Sequence, residues 1–484
     1  MGKVKRRVAV IGAGPAGAIV TDALAKEGVF ETIRVFERRH VVGGTWVLTR
    51  NKDEVPRIPS LQALLEGRAD LPIPIPAILP SETAKDERIN SHQSRFSDSG
   101  AHEHLHSNLP PEIMCFSNEP IPTLLSERTR AEFGEGAPFR HREVMREWVQ
   151  AIFNRGGHEN LVEHDTTVEL AEKKGEEWIL TMRKSESEHH QDRWWQETFD
   201  AITVATGHYY VPFVPRIPGL IEWEEKFPGS IQHSKHYVDA SQYRNKRVII
   251  VGGSVSALDA LHDIRKASKL PIISSLRESS QVFGDAPFMH PDIMKRPSIA
   301  AFDPDTGRIT FADGSYVDDI DVVLFATGYE FSFPFLPQVK PRNGRVPGLY
   351  QHVFLANDPS LALVGMVTGS FGLRIFEWQA VSAARVFAGR AKLPTYEEMR
   401  AWEQLRLEER GDGPSFWALM PDFERYFEDL RAIAGEPALG TAGRVLPRYD
   451  PAWEDTLWRF VDYRIQLWQK EAAKAEATRR QQQP

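Results

Sequence analysis

Twice in this chain a short β-branched run stops at a glycine turn and an amphipathic stretch begins. The first is Arg7-Val-Ala-Val-Ile11, followed by Gly12-Ala13-Gly14-Pro15-Ala16-Gly17. The second lies 240 residues further on: Arg247-Val-Ile-Ile-Val251, followed by Gly252-Gly253-Ser254-Val255-Ser256-Ala257. An unbroken apolar run bounded by glycine reads as a buried parallel strand. Residues 14–27 then read as a helix with Ile19, Ala23 and Leu24 on one face, and residues 32–36 as a second strand. The same series recurs at 254–267 and 271–276. Each copy is a βαβ unit, and a chain built around two of them is an α/β protein.

The glycines say what such units hold. Gly12 permits the tight turn, Gly14 lets the backbone approach a pyrophosphate, and Gly17 allows close helix–strand packing, while the helix N-terminus attracts the anion. Glu37 ends the next strand, where an acid accepts hydrogen bonds from ribose hydroxyls. In the second turn the fingerprint keeps Gly252, has Ser254 at its second glycine position with Ser256 just beyond, and takes the permitted Ala257 at its third. Gly12 to Glu37 is 25 residues, and Gly252 to Arg277 is also 25. The second unit thus puts an arginine where the first puts an acid, and an arginine there accommodates a 2′-phosphate. The bland alternative for Arg277 is a solvated surface charge. The reading is FAD or NAD at the first site and NADP at the second. Two such sites in one chain imply hydride transfer from a nicotinamide to a flavin.

Composition limits what the reduced flavin could serve. The single cysteine, Cys115, excludes an intramolecular disulfide, a redox-active Cys pair and a Cys-ligated zinc or iron–sulfur site. Disulfide reduction is therefore removed, leaving molecular oxygen or an external electron acceptor. A net charge of −8 argues against binding nucleic acid through overall positive charge. Hydrophobic residues at 41% and charged residues at 26% exclude a disordered chain. No apolar run approaches the roughly 18 residues of a membrane span. The basic start leads into a glycine-containing strand and not a signal-peptide core. The expectation is a cytoplasmic protein with no membrane anchor.

Residues 50–108 read as irregular, with prolines from Pro56 to Pro80 and a polar tract at 81–104; loops of this length are usually functional. A helix is expected at 141–153. Residues 166–204 alternate as a hairpin or meander around Trp178, with a charged tip at 183–193, and residues 308–325 repeat that pattern. A buried strand at 361–366 precedes a long helix at 374–388, and the polar residues 471–484 read as a frayed end. The division that follows is an FAD-binding domain in two segments, 1–212 and 330–484, the second carrying the C-terminal helices. A smaller NADPH-binding domain, 213–329, is inserted between them.

Phe227-Pro-Gly-Ser-Ile-Gln-His-Ser-Lys-His-Tyr237 resembles the F-x-G-x-x-x-H-x-x-x-[Y/F] signature of flavin-containing monooxygenases, through Phe227, Gly229, His233 and Tyr237. Val42-Gly43-Gly44-Thr45-Trp46 is similar to that family's flavin-contacting segment. Ala205-Thr206-Gly207 and Ala326-Thr327-Gly328-Tyr329 resemble its two interdomain hinges. Asn108-Leu-Pro-Pro-Glu-Ile-Met114 resembles a fungal-type T-N-L-P segment, with Ser107 in place of the usual Thr. Phe376-Glu377-Trp378-Gln379-Ala380 resembles the E-x-Q-A helix beside the flavin. The matches run in order from about residue 8 to residue 390.

The resemblance implies two Rossmann-like domains, FAD and NADPH as cofactors, and an N,S-oxygenating monooxygenase. Oxygen would add at flavin C4a to give a hydroperoxide, which a soft nucleophile then attacks, an amine nitrogen or a sulfur of a small molecule. Gly12, Gly14, Gly17, Glu37, Gly44, Thr45, Trp46, Val168, Thr206 and Gln379 would contact FAD. Gly252, Ser254, Ser256 and Arg277 would contact NADP. Asn108 corresponds to the family's active-site asparagine, since a carboxamide can both donate and accept; its plainer reading is a turn residue before Pro110. His233 either anchors the linker or touches cofactor. Cys115 reads as packed and inert. His102, His104 and His106 alternate as strand ligands would, but nothing completes a coordination shell, so no metal is expected. Baeyer–Villiger enzymes carry Trp and then Pro or Asp where this chain has Tyr237-Val238. Ketone oxygenation, and an uncoupled NADPH oxidase, stand as alternatives. A homodimer is left open.

Overall fold

The computed structural model describes residues 4–49, 61–84, 96, 98–186, 191–369 and 371–482. Arg7–Ile11 (β1) and Thr32–Phe36 (β2) flank the helix Pro15–Glu27 (α1) and pair in parallel, and Ala201–Val204 (β3) pairs in parallel on the other side of β1. Val8, Ala9 and Val10 are fully buried, as a strand covered on both faces must be. Leu361–Leu363 extends the sheet beyond β3, and the sheet has seven strands in all. Arg142–Gly156 (α2) and Arg374–Phe387 (α4) pack against α1.

The second sheet is all parallel. In spatial order it runs Ile231–His233 (β4), Val322–Phe325 (β8), Val248–Val251 (β5), Ile272–Ser275 (β6) and Ile293–Arg296 (β7). Val248 and Ile250 face one core and Ile249 the other, as a period of two requires. The first of these cores is closed by Val255–Ile264 (α3) and the second by the antiparallel strands between 299 and 318. This is an α/β protein with two Rossmann-like domains, one sheet's strands lying within the sequence span of the other's.

Three expectations change. Residues 50–108 are not irregular throughout: the described part holds a short helix, Leu61–Leu65, and a strand, Ser81–Ala84, which pairs with Gln191–Phe199. The charged tip is narrower than 183–193, because the hairpin strands run to Glu186 and restart at Gln191; 187–190 lie outside the described residues. The C-terminal end is not frayed: Ala452–Gln482 (α5) is one helix to the last described residue. Its Val461 and Trp468 enter the core of the second sheet, Arg464 pairs with Asp259 at 2.6 Å, and Glu471 with Arg265 at 3.1 Å. The ten-residue α3 leaves part of that sheet face open, and α5 covers it. The C-terminal helix therefore packs into both cores, through Leu457 in the first and Val461 and Trp468 in the second.

The first domain is tied internally by Arg444, whose side chain is 1% exposed. Its guanidinium donates to Asp22 on α1, to Glu377 on α4 at 2.6 Å and to Glu119 at 3.3 Å. Burial pushes the Asp22 carboxyl up, but His158, Arg444 and Lys26 outweigh burial and hold it well below the ordinary carboxylate range. A depressed carboxyl contributes stability that is complete above the unfolded value of about 3.9 and is lost as the pH falls toward the folded one. Replacing Arg444 removes a cation shared by three acids, and although Asp22 keeps Lys26, Glu119 keeps Arg155 and Glu377 keeps Ser117, breaking a buried pair from one side costs up to about 3–5 kcal/mol. Arg444→Met is expected to lower the unfolding free energy by up to that amount at pH 7, read as a lower denaturant midpoint, and the gap to wild type should narrow below about pH 4. A midpoint equal to wild type at pH 7 would show that the carboxylates find other partners.

Candidate active site

The two glycine turns stand at equivalent places. Gly12 has φ +103°, and a Cβ there would lie 2.8 Å from the carbonyl oxygen of Ala205, just beyond β3. Gly252 has φ +135°, and a Cβ there would lie 2.4 Å from the carbonyl oxygen of Ala326, just beyond β8. Each turn therefore presses on the Ala-Thr-Gly segment that leaves the neighbouring strand. The point of contact is where strand order reverses, the place at which open α/β sheets bind dinucleotides.

Around the first turn the chain forms a cradle without side chains. A Cβ on Gly17 would overlap the Gly12 carbonyl oxygen, and one on Gly14 would meet Gly44 Cα at 3.3 Å. Thr45 and Trp46 follow in one 3-10 turn. The Trp46 indole is buried, and its Nε1 has no hydrogen-bond partner among the described residues. Glu37 is buried, with Oε2 accepting from Ala13 N at 2.8 Å and Oε1 from Arg39 N at 2.9 Å. Each carboxylate oxygen keeps a second lone pair for a ribose hydroxyl. Backbone donors at a helix start, a bare cradle and an orphaned buried indole N–H fit FAD. Two residues support this site that no motif named. Arg39 donates to the Gly44 carbonyl at 2.8 Å, and Ser99 donates to the Thr45 carbonyl at 2.9 Å.

Three further residues expected at FAD are Val168, Thr206 and Gln379. Val168 is buried in the strand Thr166–Lys174. Thr206 is half-buried, and its hydroxyl turns to the Gly207 carbonyl at 3.2 Å. Gln379 is engaged at both ends of its carboxamide: Oε1 accepts from Gly365 N at 2.9 Å, and Nε2 donates to the Tyr426 hydroxyl at 2.9 Å. Glu377 accepts from Ser117 N and from Arg444. In this structure the E-x-Q-A motif braces the loop at Gly365 against α1, where a Cβ on Gly365 would meet Ala16 Cβ at 3.1 Å.

At the second turn, Ser254 and Ser256 are exposed at the start of α3. Arg277 is exposed beyond the end of β6, in a cleft of about 400 Å³ that it shares with Glu278, Ser279, Lys295 and Arg296. Lys295 donates to Ser279 Oγ at 2.6 Å and to Asp285. Arg277, Lys295 and Arg296 outnumber Glu278 and the Lys295 partner Asp285, so the cleft keeps a positive excess that suits a phosphate.

Asn108 is exposed, and its carboxamide makes no hydrogen bond among the described residues. The buried Ser107 fixes the turn: its Oγ donates to the Leu109 carbonyl at 3.0 Å and accepts from Arg140 N at 3.0 Å. A hydroxyl does this work, and Ser107 supplies it. His233 anchors the linker, with Nε2 donating to the Gly328 carbonyl at 3.0 Å and Nδ1 accepting from Lys235 N at 3.0 Å. Tyr237 donates to Asp263 on α3. Burial pushes the Cys115 thiol up, and its sulfur lies 3.3 Å from Arg374 Nη2. His106 is bound to the His104 carbonyl and to Thr129. Burial lowers His102 and His106 to about 4. Among the described residues no three His, Cys, Asp or Glu side chains are placed to hold a metal, and no helix is long and apolar enough to cross a membrane.

A model of flavin-binding monooxygenase-like proteins matches residues 94–288 and 286–436, and one of NAD(P)-binding Rossmann-like domains matches residues 10–59. This chain belongs to the flavin-binding monooxygenase family. The monooxygenase is 27% identical to the flavin-containing monooxygenase ustF2 of Aspergillus flavus, over 92% of this chain and 95% of that one. It is 30% identical to flavin-containing monooxygenase FMO GS-OX1 of Arabidopsis thaliana, over 81% of this chain and 76% of that one. In fold it is similar to S-allyl-L-cysteine S-oxygenase from Allium sativum, with a TM-score of 0.74, 24% identity and 98% of each chain covered. Family membership brings FAD and NADPH as cofactors, and a small-molecule substrate with molecular oxygen as reactants.

The Gly14–Gly44 contact gives a direct test of the cradle. Gly14 has an ordinary backbone conformation, so Gly14→Ala keeps the fold while a methyl enters the space at Gly44. FAD affinity of the purified protein should fall at least about tenfold, equivalent to about 1.4 kcal/mol, at unchanged far-ultraviolet circular dichroism. Full flavin retention would show that the dinucleotide lies elsewhere.

Proposed function

We propose that this monooxygenase uses NADPH in preference to NADH and transfers one oxygen atom of O₂ to a nucleophilic sulfur or nitrogen of a small molecule. The observation that carries the reading is the opposed charge at the ends of the two units. A carboxylate, Glu37, ends the first, and the cationic cleft of Arg277, Lys295 and Arg296 ends the second. An acid receives ribose hydroxyls, and cations receive a 2′-phosphate. The sulfur or nitrogen preference is supported by Tyr237-Val238 at the end of the linker signature and by the likeness to one protein whose name specifies S-oxygenation. NADPH and FAD, when bound, supply hydride transfer and the activation of oxygen. This chain's residues hold the dinucleotides, exclude water and present hydrogen-bonding groups at the reacting edge. Asn108 is suited to that last part, because its carboxamide is not taken up by the described protein groups and can both donate and accept.

Substrate class is tested by incubating the holoenzyme with a thioether, a tertiary amine and a ketone while following NADPH and product together. Oxygenation of the first two but not the third is expected; ketone turnover alone would favour the Baeyer–Villiger alternative. Product near zero with every nucleophile would favour an uncoupled oxidase.

Two substitutions test the assigned residues. Losing a charge-assisted contact costs about 1.5–3 kcal/mol, or roughly 10- to 150-fold in affinity. Arg277→Ala should raise the KM for NADPH by about that factor and leave the KM for NADH almost unchanged; equal effects on both would overturn the assignment. Asn108→Ala should still oxidise NADPH, while the ratio of product to hydrogen peroxide falls, at most by roughly the same 10- to 150-fold. A wild-type ratio would leave Asn108 a turn residue only.

A further inference from the structure

Lys235 belongs to no expected binding set, yet its side chain is fully buried. It lies between the two domains, two residues beyond His233 at the end of β4. Its Nζ donates to the Tyr210 carbonyl at 2.7 Å and pairs with Asp98 at 2.9 Å, and it lies 5.4 Å from the centre of the Phe96 ring. All three partners lie in the segment 1–212, whereas Lys235 belongs to 213–329, so the contacts cross the domain boundary. Tyr210 precedes Val211–Pro212, which pairs with Tyr329–Glu330 where the chain passes out to the inserted domain and back. Asp98 adjoins Ser99, whose side chain holds the Thr45 carbonyl of the FAD cradle and whose N–H donates to Thr49 Oγ1 at 2.8 Å. A Cβ on Gly100 would lie 3.0 Å from the Tyr329 hydroxyl. The cradle, both interdomain strands and the linker signature thus meet around one ammonium group.

Taking an ammonium out of water is expensive, and an apolar side chain of similar size would fill the same space at no such cost. What the ion pair adds is direction: a fixed distance between a segment carried by the FAD cradle and a segment carried by the second sheet. We propose that Asp98 and Lys235 are a positioning pair that fixes the angle between the two dinucleotide-binding domains, and thereby the rate of hydride transfer and not the affinity for either cofactor. The step concerned moves two electrons and one proton, as hydride, from NADPH, which becomes NADP⁺, to FAD, which becomes its reduced anion. Such transfers depend steeply on distance, and a displacement of about 1 Å can cost about 100-fold. The proposal rests on the reading that NADPH reduces FAD in this protein.

The test is anaerobic stopped-flow reduction of the full-length holoenzyme over a range of NADPH concentrations, which separates the limiting rate from the apparent Kd. Lys235→Met, Asp98→Asn and the double variant are compared with wild type, with FAD content measured for each. The limiting rate should fall by about 10- to 100-fold in each single variant. FAD content and the Kd for NADPH should stay within about twofold of wild type. The double variant should be no slower than the slower single, since the two changes remove one interaction. Asp98→Asn is nearly isosteric and keeps the test open if Lys235→Met does not fold. A wild-type limiting rate in Asp98→Asn would overturn the proposal, and so would losses of rate that track losses of FAD or NADPH affinity. Additive effects in the double variant would overturn it too. Wild-type protein that NADPH does not reduce at all would instead overturn the functional reading beneath it.

Discussion

The organisation of this molecule depends on one steric requirement, met twice: the turn that ends a central parallel strand must touch the backbone that leaves the next strand. Gly12 meets Ala205, and Gly252 meets Ala326, at separations where a Cβ would overlap a carbonyl oxygen. Such contact brings the helix start close to the sheet and leaves the backbone N–H groups of the turn facing outward. The Ala-Thr-Gly segments do two things as a result. Each packs against a glycine turn, and each leads directly into the crossing between domains, at 207–212 and 328–330. The surfaces that hold the two dinucleotides are therefore continuous with the joint between the domains.

Within the first domain, and once at that joint, the protein buries charge. Arg444 with Asp22, Glu119 and Glu377, Arg385 with Glu27, and Lys235 with Asp98 are ion pairs whose cations are at most 1% exposed. Buried pairs contribute little net stability compared with well-packed apolar groups, but they resist rearrangement, because moving one partner strands the other. Glu377 and Gln379 illustrate the same logic within a single motif. On α4 their side chains hold Ser117, Arg444, Gly365 and Tyr426. The cradle keeps its shape because the groups behind it have no other place to go.

Much of this is legible in the chain. β1, α1 and β2 can be read almost to the residue, since apolar runs bounded by glycine have one physical interpretation when they repeat with the same spacing. The place of Arg277 just beyond β6 can be read as well, from its distance to Gly252. Lys295 and Arg296 cannot: they reach the same cleft from a neighbouring strand, and register between strands is not visible in local pattern. The C-terminal helix shows the opposite error. Its polar end reads as a tail, yet Phe460, Val461, Trp468 and Ala472 are buried along one continuous helix. Composition averaged over the last residues hides a stripe that begins earlier. Likewise Asp98 sits in a proline-rich and polar stretch with no periodicity, and only its ion pair across the boundary shows what the stretch holds.

The chemistry explains why the conspicuous motifs concern cofactors and hinges and not the substrate. When a flavin performs the difficult step, the protein is asked for distance, dryness and a few hydrogen bonds, and acid–base side chains are not required to be poised. The titratable groups near the joint behave accordingly. His102 and His106 are held neutral by burial, and Tyr237 is kept protonated by burial and by Asp263. A site arranged this way responds less to pH through its own side chains than to the apposition of its two domains. Any looseness at the hinge lengthens the path between dinucleotides and admits water in the same motion. Efficient reduction and retention of the activated oxygen are thus two consequences of one mechanical property, which explains why a buried cation and its carboxylate stand at the crossing where a hydrophobic contact would have been less costly to bury.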